Sequence, residues 1–402
     1  MNKTLKIFST LALVSATAYA GNEAKNLDKV IDEAIYLETT TPQVHLSGYV
    51  DTGYIYNFTG TSGPATTGYS TDGGGSGDFS LNAFKLVLEK ALSDKNEFQA
   101  GFRADLMLGE DAAGLGANGT EGSSDSLYLQ QAHVIIRAPI GHGLDIQVGK
   151  INSILGFEAD ERPANMNITQ GVNAAPDPGP SSGIVANYPI TDHVTLIGGV
   201  INGNGQDTNM GLDGSSDGYA FTGGLGVTNE GGNAETQIAF HYAPFGDGGT
   251  GQTDDENLLG LNWWGAWSPK FANDKLLLAL NASYWVGNNF SAPAPAAADD
   301  STNLYVVAAY AKYQFNSLFS LAARGEYLHT DDNQFLALPV RPVGFSNDVY
   351  TWTLTAGLNL TEELLFRAEY RLDLGSDVIS DGTGTLSGDA AHGLAAQIVY
   401  SF

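Results

Sequence analysis

The chain carries 45 acidic against 18 basic side chains in 402 residues, a net charge of −27, and has no cysteine. That balance excludes a nucleic-acid-binding surface, which needs a basic footprint, and the missing thiols exclude disulfides and a lipidated N-terminal cysteine. Glycine is abundant at 50 residues, but an aromatic content of 10% is too high for a disordered acidic chain and suits short turns and strand rims.

At the N-terminus, Lys3 and Lys6 precede an apolar-leaning core from Ile7 to Val14 and an A-x-A site at Ala18-Tyr19-Ala20. Residues 1–20 are therefore expected to be a secretory signal peptide cleaved near Ala20. Residues 21–43 should come next as a periplasmic helical segment. Within it, Leu27, Val30, Ile31, Ala34 and Leu37 share one face of a helix running over 23–38. Four turns are marginal alone; a periplasmic appendage is expected, with a lumen plug as the competing role.

From residue 44 to 402 no run of about 18 apolar residues offers a transmembrane helix. Alternation with a period of two recurs instead, in segments near the ten residues a tilted strand needs to cross a bilayer. Sixteen segments are expected: 44–58, 79–92, 97–108, 127–139, 144–151, 184–190, 194–202 and 219–229 in the first half. The second half adds 234–243, 257–268, 275–287, 303–315, 318–328, 347–360, 363–373 and 391–402. The connections alternate between short, such as 93–96 and 316–317, and long, such as 59–78, 109–126 and 152–183. This rhythm predicts an all-β fold, a transmembrane antiparallel barrel of about 16 strands with tight periplasmic turns and long outer loops. Sandwiches and propellers do not produce it.

The long connections hold 24 acidic residues and two basic ones, Arg162 and Arg341. Most of the acid thus sits at one end, read as a solvated, repulsive outer surface; calcium bridging at Asp254-Asp255-Glu256 is the weaker alternative. The chain ends on Leu394, Ile398, Tyr400 and Phe402, an apolar face closing on an aromatic. This resembles the C-terminal signal that barrel-assembly machinery reads. The expected location is the bacterial outer membrane, with lipid and lipopolysaccharide around the barrel.

Strand parity separates a lipid face from a lumen face. It points Lys85, Glu89, Arg103, Asp105, His133, Arg137, Lys312, Arg324, Glu326, Arg367, Glu369 and Arg371 inward, as pore-lining candidates. Tyr49, Trp264, Trp285 and Tyr310 share that parity without forming an evident track. The connection 152–183 follows the fifth strand, where an infolded constriction loop would place Glu158, Asp160, Glu161 and Arg162 in the lumen. Its carboxylates are expected to oppose Lys85, Arg103, Arg137, Arg367 and Arg371 across a narrow pore and set a transverse field.

Ser47-Gly48-Tyr49-Val50-Asp51 with Tyr54 to Phe58 resembles the first strand of OmpL-like beta-barrel porins. Gly149-Lys150 with Leu155-Gly156-Phe157-Glu158, and Ala186-Asn187-Tyr188-Pro189 leading to Val200-Ile201-Asn202-Gly203, are similar to the middle of that family. The resemblance implies an outer-membrane porin and carries no substrate with it.

Catalytic patterns fail their contexts. Gly179-Pro180-Ser181-Ser182-Gly183 spells G-x-S-x-G in a Pro/Gly loop with no following helix, and Gly114 to Gly119 fits G-x-G-x-x-G without strand and helix. The seven histidines are scattered, without zinc spacing. No enzyme activity, cofactor or metal is expected. The expected function is passive diffusion of small hydrophilic solutes through a water-filled channel, weakly cation-preferring. The alternatives are a structural or surface-binding barrel with an occluded lumen, and a substrate-selective channel, for example for sugars. A homotrimer is slightly favoured over a monomer, with the Gly-rich stretch 184–229 as its candidate wall.

Overall fold

Alternating apolar and polar residues can satisfy every backbone group in lipid only if the sheet closes on itself. The computed structural model shows that closure. It describes residues 44–58, 63–64, 77–112, 127–174, 176–202, 219–244, 257–273, 275–288, 301–330, 348–376, 379–380 and 386–402. The leader, the 23–38 helix, Asp254-Asp255-Glu256, Arg341 and most of the acidic outer positions lie outside the described residues.

Sixteen strands build the barrel. The first eight are β1 (His45–Asn57), β2 (Asp78–Lys90), β3 (Gln99–Leu108), β4 (Leu127–Ala138), β5 (Leu144–Ile151), β6 (Ser181–Thr191), β7 (Val194–Asn202) and β8 (Tyr219–Thr228). The others are β9 (Ala234–Ala243), β10 (Asn257–Trp267), β11 (Leu276–Asn288), β12 (Ser301–Gln314), β13 (Phe319–Thr330), β14 (Asp348–Asn359), β15 (Leu364–Gly375) and β16 (Ala390–Ser401). Each pairs antiparallel with its sequence neighbours, and β1 pairs with β16 to close the ring. Three two-residue strands, Gly63–Pro64, Ile379–Ser380 and Leu386–Ser387, form a separate sheet joining the first and last outer connections.

β6 begins at Ser181, three residues earlier than the alternation predicts, so Ser181-Ser182-Gly183 is strand and not loop. The small residues there pair with Ile151, Lys150 and Gly149 of β5. Short side chains hide the apolar alternation that would have revealed the strand.

Parity is plain along β9, where Ile238, Phe240 and Tyr242 are exposed while Gln237, Ala239 and His241 are buried. A charge moved to the lipid midplane would cost about 2–4 kcal/mol, which is why charge concentrates on the inner face. Aromatic pairs ring both rims. Tyr284–Tyr305 and Tyr327–Tyr350, with centroids 5.0 and 4.9 Å apart, mark the outer one, and Tyr313–Phe315 at 4.8 Å marks the periplasmic one.

The C-terminus is built into the seam. Leu394, Ile398 and Tyr400 are exposed on the lipid face. Phe402 exchanges two backbone hydrogen bonds with Gly48, at 2.9 and 3.0 Å. A Cβ on Gly48 would stand 2.8 Å from the Phe402 ring, so glycine is what lets the terminal aromatic lie over β1.

Candidate channel constriction

Two β-bulges prepare the inner wall. The β1–β2 register slips after Asp51, and the β3–β4 register slips after Asp105. Each slip adds one inward residue: Asn82 beside Ala83, and Gln130 beside Gln131, all four buried. Asn82 donates to Asp51 at 2.9 Å, and Gln130 donates to Glu161 at 3.0 Å. Strand parity points neither amide inward, because a bulge depends on the partner strand.

Residues 152–180 leave the outer end of β5 and fold into the barrel. Two 3-10 turns, Arg162–Ala164 with proline in its first turn and Val172–Ala174, give the loop its shape. One side of the loop is apolar. Ile154, Leu155 and Val172 join Ile151, Val185, Ile197 and Ile201 in a single buried cluster. Gln237 donates to the Ile154 carbonyl at 2.6 Å, and Phe157 packs between Trp264 and Tyr310 at centroid distances of 5.8 and 4.9 Å.

The other side of the loop is polar and meets β13–β15. Arg324 donates to Glu158 and to the Thr169 carbonyl, both at 2.7 Å, and sits 2.8 Å from Glu326. Glu326 accepts from Asn173 and Thr351, each at 2.6 Å. Glu369 accepts from the backbone N–H groups of Ile168 at 2.5 Å and Thr169 at 3.0 Å, and from the Thr355 hydroxyl at 2.6 Å. Arg367 donates to the carbonyls of Arg162 at 2.8 Å and Asn165 at 2.6 Å, and Arg371 to that of Gln170 at 2.6 Å. Glycine-rich and irregular backbone is tolerated at this depth because wall side chains satisfy it.

On the β2–β4 wall, Lys85 pairs with Glu161 of the loop and with Asp105 at 3.2 Å, and donates to Gln130 at 2.6 Å. Arg103 bridges Glu89 at 3.2 Å and Asp105 at 2.8 Å. Arg162 binds Asp111, just beyond β3, through contacts of 2.5 to 2.9 Å. Nearer the periplasm, Arg137 forms a fork with Asp145 at 2.6 and 2.7 Å and pins the Ser93 carbonyl at 2.7 Å. His133 lies against the Lys150 carbonyl at 3.3 Å and Gln147 at 3.2 Å. Lys312 is half-buried at the inward parity of β12, close to its periplasmic end, and Asp160 is half-buried on the loop.

Lys85 meets the loop carboxylate of Glu161 as expected, and the other contacts correct the expected pairing. Arg367 and Arg371 hold the loop's backbone carbonyls. Arg137 and Arg103 are committed to Asp145, Glu89 and Asp105, and Arg162 turns to Asp111. The reason is desolvation: in a crowded lumen, a guanidinium or carboxylate held apart from a partner loses more hydration than a distant field returns. Solvent contact remains at Glu89 and Arg103, whose side chains are 26% and 18% exposed, at Lys312, and at loop residues that include Asn152, Ser153, Phe157 and Asp160.

A polar-lined sixteen-strand barrel with an infolded loop after the fifth strand is the geometry of a porin, and a family model described as Putative beta-barrel porin-2, OmpL-like, matches residues 43–402. The chain belongs to that family. No curated protein sequence matches the chain. Among solved structures, the porin resembles the outer membrane channel DcaP of Acinetobacter baumannii, with 14% identity and a TM-score of 0.61 over 92% of this chain and 100% of that one. It also resembles an anion-selective porin from Comamonas acidovorans, with 11% identity and a TM-score of 0.56 over 89% of this chain and 99% of the other. A trimer form of OmpT from Vibrio cholerae gives 11% identity and a TM-score of 0.55, covering 89% and 99% respectively. At these identities the likeness establishes the porin's fold.

The anchors that sequence parity missed fall into two groups. Asn82 and Gln130 are bulge residues. Asp111, Thr169, Gln170 and Asn173 lie in irregular segments, where no periodicity assigns a direction; only the i to i+2 spacing of Arg324/Glu326 and Arg371/Asp373 hinted at pairing along a strand face.

Proposed function

We propose that this member of the porin family is a passive channel of narrow bore that admits small hydrophilic solutes, prefers cations weakly and catalyses no reaction. The observation that carries the reading is the loop 152–180, held inside a polar lumen by buried ion pairs, with solvent contact retained at Glu89, Arg103 and Asp160. Water-filled conduction follows from polar walls, and the bore is narrow because most inward side chains contact the loop or one another.

The cation preference rests on the acidic outer connections, whose carboxylates far outnumber their basic groups and enrich cations at low salt. In this respect the protein would differ from the anion-selective porin whose fold it shares. The same reading includes export by a cleaved signal peptide, insertion by the barrel-assembly machinery among outer-membrane lipid and lipopolysaccharide, and a homotrimer like the OmpT trimer form.

A second reading, an occluded structural barrel, draws support from the near-complete burial of inward residues such as Lys85, Arg324 and Thr355. Single-channel recording of purified protein in a planar bilayer under a salt gradient separates the two. Stable openings with a shallow, cation-sided reversal potential are expected; bilayers that stay closed at high protein dose favour the occluded barrel. Deleting 22–40 opens conductance if that segment plugs the lumen and leaves it unchanged if it is an appendage.

A further inference from the structure

Among the described strand glycines, Gly198 of β7 and Gly226 of β8 are the two at which an added Cβ would meet no heavy atom within 4 Å. Parity puts them on opposite faces of the wall. Gly198 shares the parity of the exposed Leu196 and Val200 and faces lipid. Gly226 alternates with the exposed Leu225 and Val227 and shares the parity of the buried Thr222 and Thr228. The open space beside Gly226 is therefore lumen.

Other walls of the lumen are occupied. Phe157 and Met166 of the loop pack with Trp264, Leu277 and Tyr310 on β10–β12, and β13–β15 grip the loop backbone. On β7 and β8 the apolar side of the loop joins Ile201 and Ala220, near the outer end. Closer to the periplasm this wall is bare. Register aligns Thr195, Gly226, Gln237, Trp264 and Asn281 in one row across β7–β11. Gln237, Trp264 and Asn281 are 6%, 3% and 0% exposed, whereas Thr195 and Gly226 are only half-buried.

Packing does not demand the glycine. Gly48 leaves room for the Phe402 ring, but no neighbour of Gly226 would have to move for a side chain. A glycine inside a strand weakens it, and the effect of this one is to keep lumen volume free. We propose that the permeation path passes over the periplasmic half of the β7–β8 wall, across Thr195 and Gly226, and that the missing side chain at Gly226 sets its width there. These two positions offer a solute a hydroxyl and bare backbone and no charge. Gly226 therefore discriminates among hydrophilic solutes by size, and charge selection lies elsewhere in the channel. This deepens the porin reading above and rests on it.

The chain has no cysteine, so a single introduced thiol reports its own surroundings. Gly226→Cys and Gly198→Cys both fit without displacing a neighbour, and heat-modifiable gel migration checks that each folds. Single-channel conductance of the full-length variants is recorded before and after a water-soluble cationic methanethiosulfonate, which reacts with a thiolate in water and not with a thiol held in lipid. Modification should lower the conductance of Gly226→Cys about twofold, as a bulky group in a narrow pore does, and leave Gly198→Cys unchanged. Gly226→Leu should narrow the channel in the same direction without reagent. A Gly226→Cys thiol that the reagent does not label, or labelling confirmed by intact mass with conductance unchanged, overturns this path and leaves the porin reading standing. An equal loss in Gly198→Cys overturns it too, because the effect would not arise in the lumen. Absent current from the parent protein overturns the porin reading, and the path falls with it.

Discussion

The two walls that grip the infolded loop do so by opposite means. Against β13–β15 the loop is held by charge: Arg324, Glu326, Arg367, Glu369 and Arg371 each meet a loop carboxylate, amide or backbone group. Against β5–β10 it rests on Ile154 and Leu155 packed into an apolar cluster, with few polar contacts, among them those of Gln237 and Asn262. Directional bonds fix where the loop backbone sits, because a carbonyl or N–H misplaced at this depth goes unpaired. Apolar contact fills volume without fixing register. The wall that uses few polar groups for anchoring is therefore the wall where His241, Trp264 and Trp285 keep buried nitrogens without a partner.

The difference between the walls is greatest at Arg324. Arg324→Met leaves Glu158 and Glu326 buried without their cation, and should destabilise the folded barrel by about 3–5 kcal/mol, read as a lower urea midpoint and a noisier open current. Adding Glu158→Leu should restore part of that loss; no recovery would mean that the ion pair is not what holds this side. On the apolar wall, Ile154→Ala should cost about 2–3 kcal/mol, at the low end for a core truncation because a loop can collapse onto the gap. If its current becomes noisier than that of Arg324→Met, the assignment of the charged wall as the fixing one is wrong.

Two milder substitutions separate anchoring groups from idle ones. Thr355→Val removes one of several donors to Glu369 and should cost about 1 kcal/mol, visible as a modest urea shift with conductance retained. Glu235→Gln replaces a buried carboxyl group, one of whose oxygens has no partner, by an amide of the same shape. It should leave the urea midpoint unchanged or slightly raised and the reversal potential unchanged under a salt gradient. A clear loss of stability would mean that this carboxyl group anchors the wall after all.

Legibility in the sequence divides along similar lines. Arg367, Glu369, Arg371 and Asp373 could be placed on the lumen face because a strand alternates with a fixed period of two and lipid penalises the other parity. Asn82 and Gln130 could not, since each bulge exists only as a mismatch between two strands. Asp111 and Arg162 are 51 positions apart in segments without periodicity, so nothing local marks them as partners. The expected partners of Arg367 were wrong for a related reason: parity shows that Arg367 points inward but not that a backbone carbonyl will be waiting there.

By itself, then, the sequence determined a closed sixteen-strand barrel, its inner and outer faces and the aromatic strand that shuts it, because those follow from local alternation in a medium that leaves no backbone group unpaired. Only the tertiary structure decided how the lumen is filled. Which wall holds the loop, which charges neutralise one another, and which polar atoms stay unclaimed depend on contacts between segments far apart in the chain, where packing and desolvation select among partners that the sequence leaves equivalent.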